Sequence, residues 1–224
     1  FIFKNVLISG IIGALVLRYF YLQFQWKMQK QAELRYRLEA LQARIRPHFL
    51  FNSMNTIASL ICIDPVKAEQ AVLDLSTLFR ATLNNQETLI SMDEELTLCR
   101  RYLNIEGLRL GKRLQLEWNI SEDMLRAHIP PLSLQPLFEN AIYHGIQPRT
   151  DGGTIKVEGY CKDEIAYLLI SNPHEIQQSS HQGNRIALNN IRSRLTAIFG
   201  DKAVLKTSHL DEVFTVTLRF PARY

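Results

Sequence analysis

A histidine and an asparagine near the first quarter of the chain have the spacing of a reactive pair. His48 and Asn52 lie within the segment RPHFLFNSMNTI, residues 46–57. Two side chains four residues apart share one face of a helix, and an exposed imidazole has a ring nitrogen that can act as a nucleophile while a neighbour orients the other nitrogen. Pro47 favours a bend in the helix beside the histidine. The spacing makes His48 a candidate nucleophile, although an isolated histidine of this kind is more often an ordinary surface residue.

A second polar cluster lies in SLQPLFENAIYHGI, residues 133–146. Glu139, Asn140 and His144 stand there on a segment that is otherwise apolar and predicted to be helical over about 132–145. Taken alone, the pattern predicts a plain amphipathic helix that ends at Gly145, because glycine is favoured just after a helix. A chemical role for these three polar residues therefore depends on the rest of the sequence.

Helices must position the first pair. One is predicted over about 65–85, with Asp64 as N-cap and Pro65 as its first residue. Another is predicted over about 92–110, where Ser91 and Glu94 have the spacing of a capping box and the acidic residues 93–95 favour the positive helix end. Together with a preceding helix that starts at about residue 27, these two would form a helical hairpin module, and two copies could build a four-helix bundle.

An earlier stretch predicts a helix that leads into this module. Residues 27–45 contain no Gly or Pro, and apolar residues recur with spacings of four, three and four at Leu34, Leu38, Leu41 and Ile45. The repeat is short, so a core-facing stripe explains it as well as a coiled coil does. After a membrane span, a parallel dimer is the simpler arrangement.

The pattern changes after Gly111. Apolar residues alternate over 114–120, 155–157 and 214–220, which is typical of strands, and the run IAYLLIS at 165–171 predicts a strand buried on both faces. Helical stretches at about 132–145 and 185–199 interrupt these strands. The sequence therefore predicts an α/β layer domain with a boundary near 111–113.

The distribution of charge argues against nucleic-acid binding. Residues 1–46 carry eight basic and two acidic side chains, which leaves 18 basic and 20 acidic side chains for the rest of the 224 residues. A nucleic-acid binder is expected to hold its basic surface on the folded part. Cys62, Cys99 and Cys161 lack disulfide or zinc-site spacing, and we expect reduced, packed thiols in a cytosolic interior.

The first 26 residues predict the last transmembrane span of a larger membrane domain. An apolar run over 5–17 is followed by Arg18 and by Tyr19, Tyr21 and Trp26, which resemble an interfacial aromatic belt. The basic residues that follow place this side in the cytoplasm. A signal peptide and a buried soluble helix are the alternatives, and the apolar run is shorter than the 20 or so residues that a span usually needs.

The two polar segments together resemble a known family. PHFLFNSMNTI is similar to the phospho-acceptor box of the LytS-type sensor histidine kinases of bacterial two-component systems, and SLQPLFENAIYHGI is similar to their N box. The resemblance covers about 27–224. It implies an α+β fold in which a membrane span and a helical dimerisation hairpin precede an α/β sandwich of the type shared by gyrase, Hsp90 and histidine kinases.

The resemblance also implies roles and partners. His48 would attack the γ-phosphoryl group of ATP, with Glu139 as candidate base or water-positioning residue and Asn52 beside the histidine. Asn140 would coordinate Mg²⁺ between the phosphates, since an amide oxygen suits a hard cation, and His144 would lie near a phosphate. The phosphoryl group would pass to an aspartate of a response regulator.

The implied domains are a membrane segment at 1–26, a dimerisation and phospho-acceptor region at 27–112, and an ATP-binding domain at 113–224. The protein would act as a homodimer through residues 27–112 at the bacterial cytoplasmic membrane, with its catalytic part in the cytoplasm.

Two nucleotide boxes depart from the family pattern. Where the family has Asp-x-Gly, the chain has Asn172, and an asparagine oxygen accepts the adenine hydrogen bond without the charge-assisted part, worth on the order of 1 kcal/mol. The family's Gly-x-Gly-x-Gly-Leu aligns with residues 183–188, where Gly183 alone remains and Arg185 is a candidate phosphate contact. Asn190 keeps the expected position.

Three hypotheses follow. The first is a functional histidine kinase with relaxed adenine recognition. The second is a non-catalytic or phosphatase-type signalling partner of the same fold that docks a response regulator. The third, a gyrase-like or Hsp90-like ATPase, is disfavoured because such a machine has no use for PHFLFN behind a membrane span.

Overall fold

The computed structural model describes residues 16–30, 47–83, 88–174 and 182–222; the side chains of residues 83 and 182–186 lie outside this description. Two units make up the chain, and they divide between His48 and Phe49. In the first unit, residues 16–30 form helix α1, whose side chains are all exposed. Within the described ranges, no helix combines the length and the apolar character needed to cross a membrane. Most of the predicted span, residues 1–15, lies outside them.

Three helices follow, and two of them confirm the helices predicted over about 65–85 and 92–110. They are α2 (Pro47–Leu60), α3 (Pro65–Leu83) and α4 (Met92–Leu110). The Asp64 carboxylate accepts a hydrogen bond from the Lys67 backbone at 3.1 Å, as an N-cap should. At α4, the Ser91 side chain accepts from the Glu94 backbone while the Glu94 carboxylate accepts from the Ser91 backbone, which completes the capping box.

The second half of the chain is built on a mixed five-stranded sheet. Its strands in order across the sheet are β2, β4, β5, β7 and β6, and β2 pairs with β4 in parallel while the other pairs are antiparallel. A two-stranded ribbon joins β1 to β3. The strands are β1 (Ile90–Ser91), β2 (Leu114–Ile120), β3 (His128–Ile129), β4 (Gly153–Lys162), β5 (Ile165–Pro173), β6 (Val204–Leu210) and β7 (Val213–Pro221).

Helices accompany this sheet. They are α5 (Glu122–Arg126), α6 (Gln135–Asn140), which continues as a π-helical turn (Ala141–Ile146), and α7 (Gln182–Phe199). Alternate residues of β4 and β5 are buried, among them Ile155, Val157, Leu168 and Ile170. The core therefore lies on one face of the sheet, which agrees with the predicted α/β layers.

Several predictions from the sequence need correction. Strand β5 alternates between buried and half-buried residues, so the prediction that it is buried on both faces is wrong: only one face of the sheet is covered. The helix predicted over 132–145 starts later, at Gln135, and changes to π-helical geometry after Asn140. Cys99 is buried and Cys161 is half-buried, but Cys62 is exposed, against the expectation of packed thiols. The apolar repeat at residues 34–45 lies outside the described residues.

Candidate functional site

The proposed phospho-acceptor stands in the first turn of α2. His48 is exposed, and Asn52 is partly exposed one turn further on. The opposite side of the helix is fixed by packing: the rings of Phe49 and Tyr102 lie 4.9 Å apart, and Ile57 is buried. The segment therefore separates a packed apolar side from a solvent-facing imidazole, as a nucleophilic histidine requires.

Asn140 ends α6 at the point where the helix widens into the π-turn. Its side chain is 4 % exposed, and within the described residues its Nδ2 atom has no hydrogen-bond partner. A buried amide group without a partner costs about 1–3 kcal/mol, and π-turns occur often at functional sites. A bound group that contacts this amide would remove that cost.

The chemistry of Asn140 fits a nucleotide with its metal. The two ends of a side-chain amide are distinguished only by their hydrogen-bond network, so a rotated amide would present Oδ1, a ligand that Mg²⁺ accepts, where Nδ2 now lies. In the part of the chain that the structure describes, no group of three or more His, Cys, Asp or Glu side chains could hold a metal by itself.

Glu139 and His144 lie on either side of this asparagine in the sequence. The Glu139 carboxylate accepts a hydrogen bond from Gln135 Nε2 at 3.1 Å, one turn earlier on α6. The His144 ring is half-buried and meets the Tyr143 ring edge-on at 4.9 Å between centroids. The predicted residues of this helix are thus held in place by their own neighbours on the helix.

The end of β5 packs directly on the π-turn. Asn172 is 3 % exposed, and its Nδ2 donates to the Pro173 carbonyl oxygen at 2.8 Å. A Cβ atom built on Gly145 would stand 2.2 Å from this Nδ2. Asn172, the proposed adenine contact, is therefore brought into contact with the N-box segment.

His174, just after β5, also contacts the segment that carries His144. Its imidazole bonds to the His144 backbone, and its ring lies 5.0 Å from that of His209. Burial lowers the pKa of His174, the nearby His209 lowers it further, and the hydrogen bond to His144 opposes the shift. Sequence reasoning missed this histidine, because no local signal pairs it with residues 30 or more positions away.

The remaining predicted contacts lie on α7. This helix begins at Gln182, so the backbone of Gly183 and Arg185 is in its first turn, while their side chains lie outside the description. Asn190 is exposed on the same helix. The structure therefore leaves these three roles as predictions.

Comparisons with known proteins show which family this chain resembles. Residues 36–114 match the family model described as histidine kinase. The sensor histidine kinase BtsS of Escherichia coli K12 is 31 % identical over 200 residues, which are 89 % of this chain and 36 % of that protein. The sensor histidine kinase/phosphatase LytS of Staphylococcus aureus MRSA252 is 34 % identical over 201 residues, 81 % of this chain and 33 % of that protein. The chain thus spans about a third of the length of these relatives.

Among solved structures, the catalytic domain of the histidine kinase ThkA is similar, with a TM-score of 0.50 and 13 % identity; the match covers 60 % of this chain and 97 % of that one. This likeness supports the fold alone. The sequence matches define the class: the chain belongs to the histidine kinase family. Its boxes place it with the LytS-type sensor histidine kinases of bacterial two-component systems.

Proposed function

We propose that this chain is the phospho-acceptor and ATP-binding part of a membrane sensor histidine kinase. ATP is the phosphoryl donor, His48 is the acceptor, and an aspartate of a response regulator receives the group afterwards. The observation that supports this most is the buried amide of Asn140 at the start of a π-turn, within a fold shared with histidine kinase catalytic domains.

This reaction requires little covalent chemistry from the protein. A ring nitrogen of His48 forms a bond to the γ-phosphorus, the bond from that phosphorus to the bridging oxygen breaks, and ADP leaves with the electron pair. The other ring nitrogen then gives its proton to a base. Mg²⁺, when bound, neutralises charge on the phosphates. Asn140 would hold the metal, Glu139 would act as base or orient water, and the side-chain oxygen of Asn172 would accept a hydrogen bond from the adenine amino group. His144, Gly183, Arg185 and Asn190 would line the phosphates, and Asn52 would orient the His48 ring.

Dimerisation through residues 27–112 belongs to the same proposal. Helices α2 and α3 expose large apolar side chains, including Phe51 at 69 %, Met54 at 55 % and Leu73 at 53 %. Apolar side chains spaced along two neighbouring helices fit a second copy of the same helices in a four-helix bundle.

The proposal also includes a membrane segment at residues 1–26 and a cytoplasmic position for residues 27–224. Helix α1 exposes Leu17 at 72 %, Phe20 at 64 % and Trp26 at 64 %. Side chains of this kind beside Arg18 are typical of the membrane interface.

Labelling with ATP carrying a radioactive γ-phosphate tests the proposal on the full chain in detergent. We expect acid-labile, base-stable label that His48→Gln and Asn140→Ala each abolish. His128→Gln on β3 and Asn119→Ala, exposed on β2, are matched controls that should keep the label. A wild-type chain that neither binds Mg·ATP nor takes up label would contradict the kinase assignment.

A phosphatase-type partner is the second candidate. Two departures from the family pattern favour it: Asn172 stands in place of the family aspartate, and Arg185 and Ala187 replace two glycines of the last nucleotide box. In addition, the relative LytS is named a sensor histidine kinase/phosphatase. This candidate predicts faster loss of phosphate from a receiver domain phosphorylated by acetyl phosphate, without any label on His48. Label on His48 with no effect on the receiver's phosphate would exclude it.

A further inference from the structure

Glu95 is a carboxylate fully inside the protein. It lies in the first turn of α4 and is 0 % exposed. The acidic residues 93–95 favour the positive end of the helix, and Glu94 caps its own helix. Glu95 instead turns inward. Burying a carboxylate costs free energy unless hydrogen bonds satisfy it. The groups that bond to Glu95 therefore indicate its role.

Its partners are backbone groups that precede the N-box helix. The Leu132 N–H donates to Glu95 Oε2 at 2.8 Å, and the Leu134 N–H donates to Glu95 Oε1 at 2.7 Å. Burial raises the pKa of Glu95, and hydrogen bonds from the backbone of Leu134, Leu132 and Ser133 oppose that shift. One side chain therefore holds two backbone positions of a segment that lies 37 and 39 residues away.

The segment it holds has a constrained backbone. Leu132 has φ 57°, in the left-handed region that leucine seldom adopts. Such conformations persist where the surroundings impose them. The Leu134 carbonyl then accepts from the Leu137 and Phe138 N–H groups, which opens α6. Fixing Leu134 therefore fixes the first turn of the helix that ends at Asn140, about 9 Å away at 1.5 Å per residue.

Helix α4 also packs against α6. Cys99, one turn after Glu95, is fully buried; burial raises the pKa of its thiol most, and the charges of Glu95 and Glu139 add to the rise. Glu139 is thus within electrostatic range of the same face of α4. On its other side α4 is tied to α3, because Arg101 Nη1 donates to Asp74 Oδ1 at 2.6 Å.

We propose that Glu95 is a positioning residue of the nucleotide site: by holding Leu132 and Leu134 it sets the place of Asn140 and couples helix α4 to Mg·ATP binding. The inference rests on the proposed function of Asn140. It adds that displacement of α4 changes nucleotide affinity through a single carboxylate.

Glu95→Gln tests the proposal on the full chain. A glutamine keeps the size of the side chain but turns one acceptor into a donor that faces a backbone N–H, so one of the two hydrogen bonds is lost. We expect affinity for a trinitrophenyl ATP analogue with Mg²⁺ to fall about tenfold, as for the loss of one buried hydrogen bond. Glu94→Gln is the matched control, since that carboxylate accepts its hydrogen bonds from Ser91 of its own cap, and it should bind like wild type.

Two further measurements distinguish a positioning role of Glu95 from a general loss of protein stability. The unfolding midpoint of the folded variant should stay close to that of wild type while affinity falls, and the affinity difference should shrink when EDTA replaces Mg²⁺. Hydrogen exchange without nucleotide should show faster exchange at Leu137 and Phe138 in Glu95→Gln. Wild-type affinity in a folded Glu95→Gln variant, or an equal deficit with and without Mg²⁺, would overturn the proposal.

Glu95→Asp covers the case in which Glu95→Gln does not fold. Aspartate keeps both acceptor oxygens one methylene further from the loop, so affinity should lie between those of wild type and Glu95→Gln. Failure of both variants to fold would make Glu95 a folding residue and overturn the proposal. A wild-type chain that binds no nucleotide would instead refute the proposed function, and the exchange comparison would still show whether Glu95 holds α6.

Discussion

Gly145 and Asn172 touch so closely that no side chain fits between them. A Cβ atom on Gly145 would lie 2.2 Å from Asn172 Nδ2 and 2.8 Å from the Pro173 carbonyl oxygen. The second of these is backbone and cannot turn away. The glycine is therefore required because the π-turn and the end of β5 meet here, and this contact joins the proposed metal ligand's helix to the proposed adenine contact.

Gly145→Ala should separate these two elements. We expect a loss of about 1–3 kcal/mol in the free energy of unfolding, as for other overpacked sites, together with weaker binding of Mg·ATP. Urea denaturation and a nucleotide titration measure the two effects.

Gly107→Ala provides the matched control for this substitution. Gly107 lies within α4, and, apart from its chain neighbours and the nearby backbone of its own helix, no atom of the described residues comes within 4 Å of a Cβ built there. Alanine should stabilise the protein by about 0.5–1 kcal/mol, because it favours the helix over the unfolded chain. Equal behaviour of the two alanine variants would contradict the role given to the contact at Gly145.

Local chemistry explains why the sequence predicted α4 so well. Its start depends on Ser91 and Glu94, three residues apart, and the predicted bounds 92–110 agree with Met92–Leu110. Capping needs only neighbours in the chain, so the pattern alone reveals it.

Contacts between residues far apart in the chain explain the features that the sequence alone did not predict. Gly145 was predicted to end a helix, but the chain continues in the π-turn through Ile146, and the need for glycine comes from Asn172 on another element. Glu95 likewise has the local signature of a helix-start charge, whereas its partners lie 37 and 39 residues away. Single-sequence patterns contain no signal for such pairs.

Asn172→Asp should destabilise the protein, although it restores the residue that the family has there. Asn172 Nδ2 donates to the Pro173 carbonyl oxygen at 2.8 Å. A carboxylate cannot donate, so two acceptors would face each other in a buried site, at a cost of about 1–3 kcal/mol. Urea denaturation at pH 7.5 measures this loss.

Asn119→Asp, at an exposed position of β2, is the control and should change stability by less than about 0.5 kcal/mol. An Asn172→Asp variant as stable as wild type, with tighter ATP binding, would show that the site is arranged for the family aspartate after all.

Arg101→Met should weaken the junction of α3 and α4. The Asp74 side chain is 3 % exposed and Arg101 is 35 % exposed, so removal of the arginine leaves a buried carboxylate with its Gln70 contact and without its cation. We expect a loss of about 1–3 kcal/mol, lower than for a fully buried pair because water reaches the arginine.

Lys156→Met removes a comparable ion pair at the surface. Lys156 and Glu117 are both 59 % exposed, and such pairs contribute about 0–1 kcal/mol. Thermal or urea denaturation compares the two methionine variants. Similar losses would mean that burial of Asp74 does not set the strength of the pair.

His174 should make the fold less stable in mild acid. Burial and the neighbouring His209 lower its pKa in the folded protein below the ordinary value near 6.5. The unfolded chain therefore binds a proton more readily, and the unfolding free energy rises with pH in this range. The stability due to neutral His174 is complete above the unfolded pKa and is lost as pH falls towards the folded pKa.

His209→Gln isolates this effect. Removing His209 takes away one cause of the lowered pKa, so the unfolding free energy should depend less steeply on pH between 7.5 and 5.5 than in wild type. Urea titrations at several pH values, with nuclear magnetic resonance titration of the His174 ring, measure both quantities. An unchanged slope together with an unchanged His174 titration would show that the 5.0 Å contact between the rings does not couple their protonation.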